Sequence, residues 1–183
     1  MNMQQAIKEL VEILNSGELI LYPTDVDWAV GCDACNDKAI EKLLALMGKP
    51  QNDSFCVLMD MPGKIQGYVE EVSDVAWDLM DMAENPLTVI FAGAKNLPSL
   101  LVGENKTIGI RVTKHEFSRN LCTRLRRPLV CWSTGASSLA EISASVRDRV
   151  GAVANFQREK ALPQNKESII KLGKGNLFQI VRG

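Results

Sequence analysis

A hydroxyl and a carboxylate follow the first apolar run of the chain, where the sequence reads Tyr22-Pro23-Thr24-Asp25. A proline ends a strand, and the polar side chains after it then stand at the edge of the sheet, where open α/β sheets bind ligands. Thr24 and Asp25 are therefore candidate ligand-binding residues. A turn held by an Asx-type hydrogen bond is the alternative for the same segment, and it is the commoner one.

Two other segments have groups that could contact a phosphate. Lys49 comes directly after Gly48, so an ammonium and nearby backbone N–H groups could meet one anion, although a solvated loop lysine is the commoner case. Residues 133–138 follow an apolar run and include Ser133, Gly135 and Ser137. The hydroxyls and N–H groups of such a loop can approach a phosphate closely, but serine-rich loops are common.

A single arginine interrupts the apolar run Ile108-Gly109-Ile110-Arg111-Val112. An arginine in a buried strand is costly unless its guanidinium meets an anion or a carboxylate. Two interpretations of Arg111 are equally open. It forms a structural ion pair within the protein, or it binds the phosphate or carboxylate of a ligand.

Helical and extended patterns alternate along the chain, and the helices and strands that they predict must position these groups. Apolar residues recur at helical spacing in residues 4–15 and 36–47, and Asn36 is suited to cap the second helix. Residues 64–83 also predict helix, with a break near Ser73, and residues 117–126 predict another. Short apolar runs predict strands at 19–22, 55–59, 87–91, 108–112, 129–132, 150–154, 168–172 and 177–181. One mixed sheet covered by helices is the natural packing.

The composition limits the class of protein. The length of 183 residues fits one domain, and a 46% apolar content is enough for a core without disulfides or metals. The net charge of -1 does not predict a nucleic-acid-binding protein. Cys32 and Cys35 have a zinc-like spacing but no second pair, so we expect reduced thiols and no metal site. We see neither a signal peptide nor a run of the ~18 apolar residues that a membrane span needs, and expect a cytoplasmic protein.

The order of these motifs resembles the threonylcarbamoyl-AMP synthase family, the YrdC-like domain, from about residue 4 to residue 182. The motifs that carry the resemblance are Pro23-Thr24-Asp25, Gly48-Lys49-Pro50, Pro86-Leu87-Thr88, Ile110-Arg111-Val112 and the serine-rich segment 133–138. The resemblance implies a single α+β (mixed α/β) domain over residues 1–183, of the YrdC/RibB-like type. Such a domain has three layers, with a twisted mixed sheet flanked by helices, around a large and positively lined cavity.

The resemblance also implies an activity and its substrates. Members of the family use ATP, bicarbonate and L-threonine to make threonylcarbamoyl-adenylate, which supplies the threonylcarbamoyl group for adenosine 37 of certain tRNAs. ATP with Mg²⁺ enters as a substrate, and no tightly bound cofactor is expected. Several members bind double-stranded RNA or tRNA. The sequence predicts no particular oligomeric state.

Carried over to this chain, the resemblance implies catalytic roles for Lys49 and Ser133. The residues implied to contact substrate or nucleotide are Thr24, Asp25, Trp28, Thr88, Arg111, His115, Ser133, Gly135, Ser137, Ser168 and Arg182. Some polar positions differ from the family pattern. Met47 and Lys49 stand where the family has Lys-x-Arg, and Gly135 stands where it has asparagine.

These changed polar positions keep a second hypothesis open, a non-catalytic member of the family that binds nucleotide, double-stranded RNA or tRNA. A basic cluster without acidic neighbours supports it, formed by Arg119, Arg124, Arg126 and Arg127. Such a cluster can contact RNA phosphates in a salt-dependent way. A solvated helix face is the alternative for these arginines, and it is the commoner case.

Overall fold

Nine strands form one mixed sheet in the computed structural model, which describes residues 2–49, 55–158, 162–163, 165–173 and 177–182. The strands are β1 (Ile20–Pro23), β2 (Trp28–Gly31), β3 (Phe55–Met59), β4 (Leu87–Phe91), β5 (Ile108–Val112), β6 (Leu129–Ala136), β7 (Ala152–Val153), β8 (Ser168–Leu172) and β9 (Phe178–Arg182). Their spatial order is β7-β1-β2-β6-β3-β5-β4-β8-β9. The pairs β1–β7, β3–β5 and β4–β8 are parallel, and the others are antiparallel.

Five α-helices accompany the sheet within the described residues. They are α1 (Met3–Asn15), α2 (Asp37–Met47), α3 (Asp74–Met82), α4 (Glu116–Leu125) and α5 (Ala144–Arg147). The side chains of Asn2, Asn36 and Ser73 cap the first three helices by accepting a backbone N–H three residues further on. Helices α1 and α4 pack against each other, α1 also contacts β1, and α4 contacts both β1 and β3. No helix in this part of the chain is long and apolar enough to cross a membrane.

The predicted mixed sheet flanked by helices is confirmed, but several elements differ from the sequence prediction, among them α5, which was not predicted. Strand β2 was not predicted, because it has four residues and follows a tight turn. Residues 133–136 were predicted as a loop, yet they continue β6 beside β2. Residues 64–83 contain a 3₁₀-helix at Pro62–Gly67 and then α3, with Ser73 at the predicted break. That the whole chain forms one domain stays a prediction.

The hairpin of β1 and β2 is locked to β6 through a tyrosine. The Tyr22 hydroxyl donates to the Val130 carbonyl at 2.9 Å, and the ring is completely buried. Gly31 leaves the room for this contact. A Cβ atom at Gly31 would lie 2.3 Å from the Val130 carbonyl oxygen and 2.6 Å from the Tyr22 ring. The end of this hairpin that carries residues 24–27 is therefore held at a fixed place in the sheet.

We predict that Gly31→Ala lowers the free energy of unfolding by about 3 kcal/mol, because the added methyl group meets a backbone carbonyl that cannot move away alone. Urea unfolding followed by circular dichroism measures the change. Gly63→Ala is the matched control, since nothing lies within 4 Å of a Cβ atom at that position. A loss below about 0.5 kcal/mol in Gly31→Ala would contradict the packing described here.

Candidate functional site

A buried arginine is the centre of the candidate site. Arg111, in the middle of the sheet, is only 2% exposed. Its Nη1 atom donates to Glu167 Oε1 at 2.8 Å, and its Nη2 atom donates to Cys131 Sγ at 3.4 Å. Nη2 also lies 3.1 Å from Asp25 Oδ1, which accepts no hydrogen bond, so that contact is purely electrostatic. Of the two interpretations that the sequence left open for Arg111, the structure shows the ion pair.

Burial acts to lower the pKa of the Arg111 guanidinium, but the surrounding thiols and carboxylates raise it well above its usual value. The guanidinium therefore stays charged in the folded protein. One hydrogen-bonding atom of Arg111 remains unused among the described residues, since its Nε atom is buried without a partner. Nη1 and Nη2 each have a second hydrogen as well, but the carboxylates of Glu167 and Asp25 already lie against these two atoms.

Glu167 lies against three residues that the sequence analysis predicted to contact substrate or nucleotide. Besides the bond from Arg111, its Oε1 atom accepts a hydrogen bond from Thr88 Oγ1 at 2.5 Å. Its Oε2 atom lies 3.6 Å from Arg182 Nη1. Thr88 and Arg111 are direct cross-strand partners in β4 and β5, and Glu167 directly precedes β8. We call Asp25, Thr88, Arg111 and Glu167 the Arg111 cluster.

The turn between β1 and β2 holds its threonine internally. The Thr24 hydroxyl donates to the Asp27 carbonyl at 2.8 Å and accepts the N–H groups of Val26 and Asp27 at 3.1 and 3.2 Å. The Asp25 carbonyl accepts a hydrogen bond from Asn165 Nδ2 at 2.8 Å. The segment thus forms a turn, but the Thr24 hydroxyl holds it where the sequence analysis named an Asx-type hydrogen bond. The turn places Asp25 against Arg111.

Asp27 fixes the segment of β6 that was predicted to approach a phosphate. Its Oδ2 atom accepts hydrogen bonds from the Ser133 hydroxyl and, at 2.8 Å, from the Gly135 N–H group. Its Oδ1 atom is buried without a partner in the described part of the chain. Burial raises the pKa of this carboxyl, and the hydrogen bonds from Ser133 and Gly135 oppose the shift. The donors expected for nucleotide oxygens are thus held by a carboxylate of the protein.

The single histidine, His115, lies beside the Arg111 cluster, and one of its ring nitrogens forms a described hydrogen bond. Ser118 donates its hydroxyl proton to the Pro23 carbonyl at 3.0 Å, so His115 Nδ1 is the donor in the 2.9 Å contact with the Ser118 oxygen. Burial is the main cause that lowers the pKa of His115. The ring is therefore neutral at pH 7, with Nε2 as an acceptor.

Two cavities include members of the cluster. The small cavity, of about 300 Å³, is lined by Asp27, Arg111, Ser133, Glu167 and Arg182 among others. The large cavity, of about 800 Å³, is lined by residues that include Thr24, Asp25 and His115. Both volumes suit a small-molecule ligand.

The lining of the large cavity corrects one expectation. The resemblance implied a positively lined cavity, but carboxylates outnumber cations among the described lining residues. The carboxylates are Asp25, Asp60, Asp78, Asp81 and Glu84, and the permanent cations are Lys114 and Arg119. A polyphosphate chain in this cavity would therefore face like charges.

Several predicted site residues lie apart from the cluster. Lys49 is exposed just after α2 and is not among the described residues that line either cavity. Trp28 is completely buried in β2, where the geometry favours a packing role over contact with a ligand. The Ser137 hydroxyl donates to Glu141 at 2.8 Å, and the backbone N–H of Ser168 donates to the Pro86 carbonyl at 2.9 Å. Their roles toward substrate stay predictions.

The four arginines that were proposed to contact RNA differ in their surroundings. Arg127 donates from Nε to Asp33 and from Nη2 to Asn15, both at 2.6 Å, so it ties the end of α4 to the end of α1. Arg119 lines the large cavity. Arg124 and Arg126 are exposed at the end of α4. These last two keep the solvent-facing position that the RNA hypothesis needs, although Arg126 also lines a cavity of about 20 Å³ beside Lys64 and Tyr68.

Sequence reasoning missed the two carboxylates that organise the site, Asp27 and Glu167. A weak signal existed for each. Asp27 repeats the carboxylate of Asp25 two positions later, and Glu167 directly precedes Ser168, which was already a candidate. Nothing in either local pattern points to the distant partner, because the contacts join segments separated by 106 positions for Ser133 and Asp27 and by 56 for Arg111 and Glu167.

Comparison with known proteins gives the site a family context. A family model described as telomere recombination, which covers the Sua5, YciO and YrdC proteins, matches residues 12–182. The threonylcarbamoyl-AMP synthase of Pseudoalteromonas translucida is 32% identical over 160 residues, which cover 82% of this chain and 86% of that relative. The threonylcarbamoyl-AMP synthase of Idiomarina loihiensis is also 32% identical, over 138 residues, with 73% of this chain and 74% of that relative covered.

Solved structures agree with the sequence relatives. E. coli YciO has a TM-score of 0.80 and 26% identity, over 98% of this chain and 89% of that chain. P. abyssi Sua5 complexed with L-threonine has a TM-score of 0.77 and 16% identity over 94% of this chain, which spans about half of that longer chain, 52%. This second likeness shows the fold alone. The family resemblance seen in the motifs is confirmed, and the chain belongs to the Sua5/YciO/YrdC family.

Proposed function

We propose that the protein is a nucleotidyltransferase of the threonylcarbamoyl-AMP synthase type, which serves the threonylcarbamoyl modification of adenosine 37 in tRNA. The observation that carries the proposal is the 32% identity to a threonylcarbamoyl-AMP synthase over 86% of that relative's length. The small cavity supports the proposal, because Arg111 and Ser133 line it. The Thr88 hydroxyl and the Gly135 N–H group bond to two further lining residues, Glu167 and Asp27. ATP, L-threonine and bicarbonate are the proposed substrates.

The proposed reaction needs positioning more than a protein nucleophile. The amine of threonine and bicarbonate combine, with loss of water, to give N-carboxythreonine. A carboxylate oxygen of this carbamate attacks the α-phosphorus of ATP, the bond from that phosphorus to the bridging oxygen breaks, and pyrophosphate leaves. Arg111 would hold a carboxylate or phosphate, and Ser133 would donate to a nucleotide oxygen. Mg²⁺ would be held mainly by the phosphates, as it commonly is in nucleotide sites.

A non-catalytic family member is the second candidate, and one observation favours it. Glu167 and Asp25 already neutralise Arg111, and the position of the family's Lys-x-Arg is Met47-Gly48-Lys49 here. A missing charge-assisted hydrogen bond weakens ligand binding by about 1.5–3 kcal/mol. Such a protein would retain binding of nucleotide or of double-stranded RNA or tRNA, and the exposed arginines at the end of α4 would contact the RNA.

We predict that the purified protein releases pyrophosphate from ATP and Mg²⁺ only when both threonine and bicarbonate are present. We also predict that Ser133→Ala lowers kcat/KM at least about tenfold, because a donor to the nucleotide is lost. A coupled pyrophosphate assay measures both effects. Ser138→Ala is the matched control, since its hydroxyl belongs to the same segment and bonds to Glu141 at 2.9 Å outside the small cavity. No pyrophosphate above the ATP-only background would reject the synthase proposal.

We predict for the second candidate that replacing Arg124 and Arg126 together by alanine weakens binding to double-stranded RNA and reduces the slope of log affinity against log salt by about 2. Fluorescence anisotropy at several salt concentrations gives both quantities. Arg127 is left intact, because its loss would break the contacts to Asp33 and Asn15. Lys8→Ala with Lys38→Ala is the charge-matched control on α1 and α2, and equal binding by both double variants would refute the RNA role.

A further inference from the structure

Two donors expected to bind an anionic substrate converge on one side chain of the protein, and a third lies nearby. Thr88 Oγ1 and Arg111 Nη1 donate to the same oxygen of Glu167, at 2.5 and 2.8 Å. Arg182 Nη1 lies 3.6 Å from the other oxygen. The Glu167 side chain is only 13% exposed, so this carboxylate is held inside the site and not in bulk water. It has the surroundings that a bound carboxylate or phosphate would have.

The remaining capacity of Arg111 for a second anion is small. Asp25 lies against Nη2, and Glu167 takes Nη1, which leaves Nε as the atom without a described partner. Asp25, Asp27 and Glu167 place three carboxylates around the guanidiniums of Arg111 and Arg182. An incoming anion therefore meets like charges at short range, in surroundings where water screens them poorly.

We propose that Glu167 is a specificity-determining residue, which occupies the anion subsite of Arg111 and competes with any ligand carboxylate or phosphate for it. A ligand anion gains the bonds from Thr88 and Arg111 only when it displaces the Glu167 carboxylate. The inference rests on the proposed function for the identity of the natural ligand, threonine or ATP. The competition itself concerns only the charge and shape of Glu167.

Glu167→Gln removes the competing charge and keeps the shape of the side chain. We expect the variant to bind inorganic phosphate at least about tenfold more tightly than the wild-type protein, because a neutral amide holds a guanidinium less strongly than a carboxylate does. Acetate is titrated in parallel, so that a preference of the subsite for phosphate or for carboxylate is seen directly. Isothermal titration calorimetry measures both affinities.

Glu12→Gln is the control, because it makes the same chemical change on the exposed face of α1, away from the Arg111 cluster. Its affinity for both anions should equal that of the wild-type protein. If Glu167→Gln also binds phosphate and acetate within twofold of the wild-type protein, Glu167 does not compete for the subsite and the proposal is overturned.

Glu167→Ala keeps the proposal testable if the amide variant does not fold. This variant leaves a space the size of the lost carboxylate beside a guanidinium that has only Asp25 and Cys131 as described partners. We expect phosphate or acetate to raise its melting temperature by several degrees and that of the wild-type protein far less. Equal shifts in both proteins would count against the competition.

The experiments distinguish failure of the synthase proposal from failure of the Glu167 proposal. Tighter anion binding by the Glu167 variants without pyrophosphate release in any protein would support the competition and reject the synthase activity. Pyrophosphate release by the wild-type protein, with anion affinities that the Glu167 substitutions leave unchanged, would support the synthase activity and reject the competition.

Discussion

The buried charge of Arg111 is the constraint on which the site depends. A guanidinium in the middle of a sheet has lost its water and needs opposite charge close by, and removal of one partner from such a pair costs about 3–5 kcal/mol. Asp25 and Glu167 supply that charge from two loops at the end of the sheet. The turn after β1 and the segment before β8 are consequently held where they are by the arginine as much as by their own hydrogen bonds. Site geometry and fold stability therefore depend on the same contacts.

Three hydroxyl groups expected to meet a substrate already form hydrogen bonds within the protein. Thr24 bonds to its own turn, Thr88 bonds to Glu167, and Ser133 bonds to Asp27. Ligand binding at such a site is an exchange of hydrogen-bond partners, which yields far less free energy per contact than pairing a group that was unsatisfied before. The site can thus keep the shape of its family while its affinity is set by how readily the internal carboxylates are displaced.

Sequence patterns predicted the local features of this structure well and the long-range ones poorly. The helices after Asn36 and Ser73 follow from caps and apolar spacing, which are properties of neighbouring residues. The sequence showed that Arg111 needs a buried anion but did not identify its partners, because an ion pair between distant segments leaves no periodic pattern in the sequence. Trp28 is a different case. Its place in a recognised motif predicts ligand contact, and the structure adds that the four-residue strand containing it is buried throughout. Its role toward substrate stays a prediction.

The long sequence separations in the Arg111 cluster have a consequence for the order of folding. Thr88 and Glu167 are 79 positions apart, and Arg111 and Glu167 are 56 apart. Contacts between distant segments carry the full entropy of closing the loop between them, so they form late and slow the folding of sheets that depend on them. On the ribosome, strands β1 to β7 emerge before Glu167 does. Arg111 therefore obtains its second carboxylate only after most of the strands around it have been synthesised.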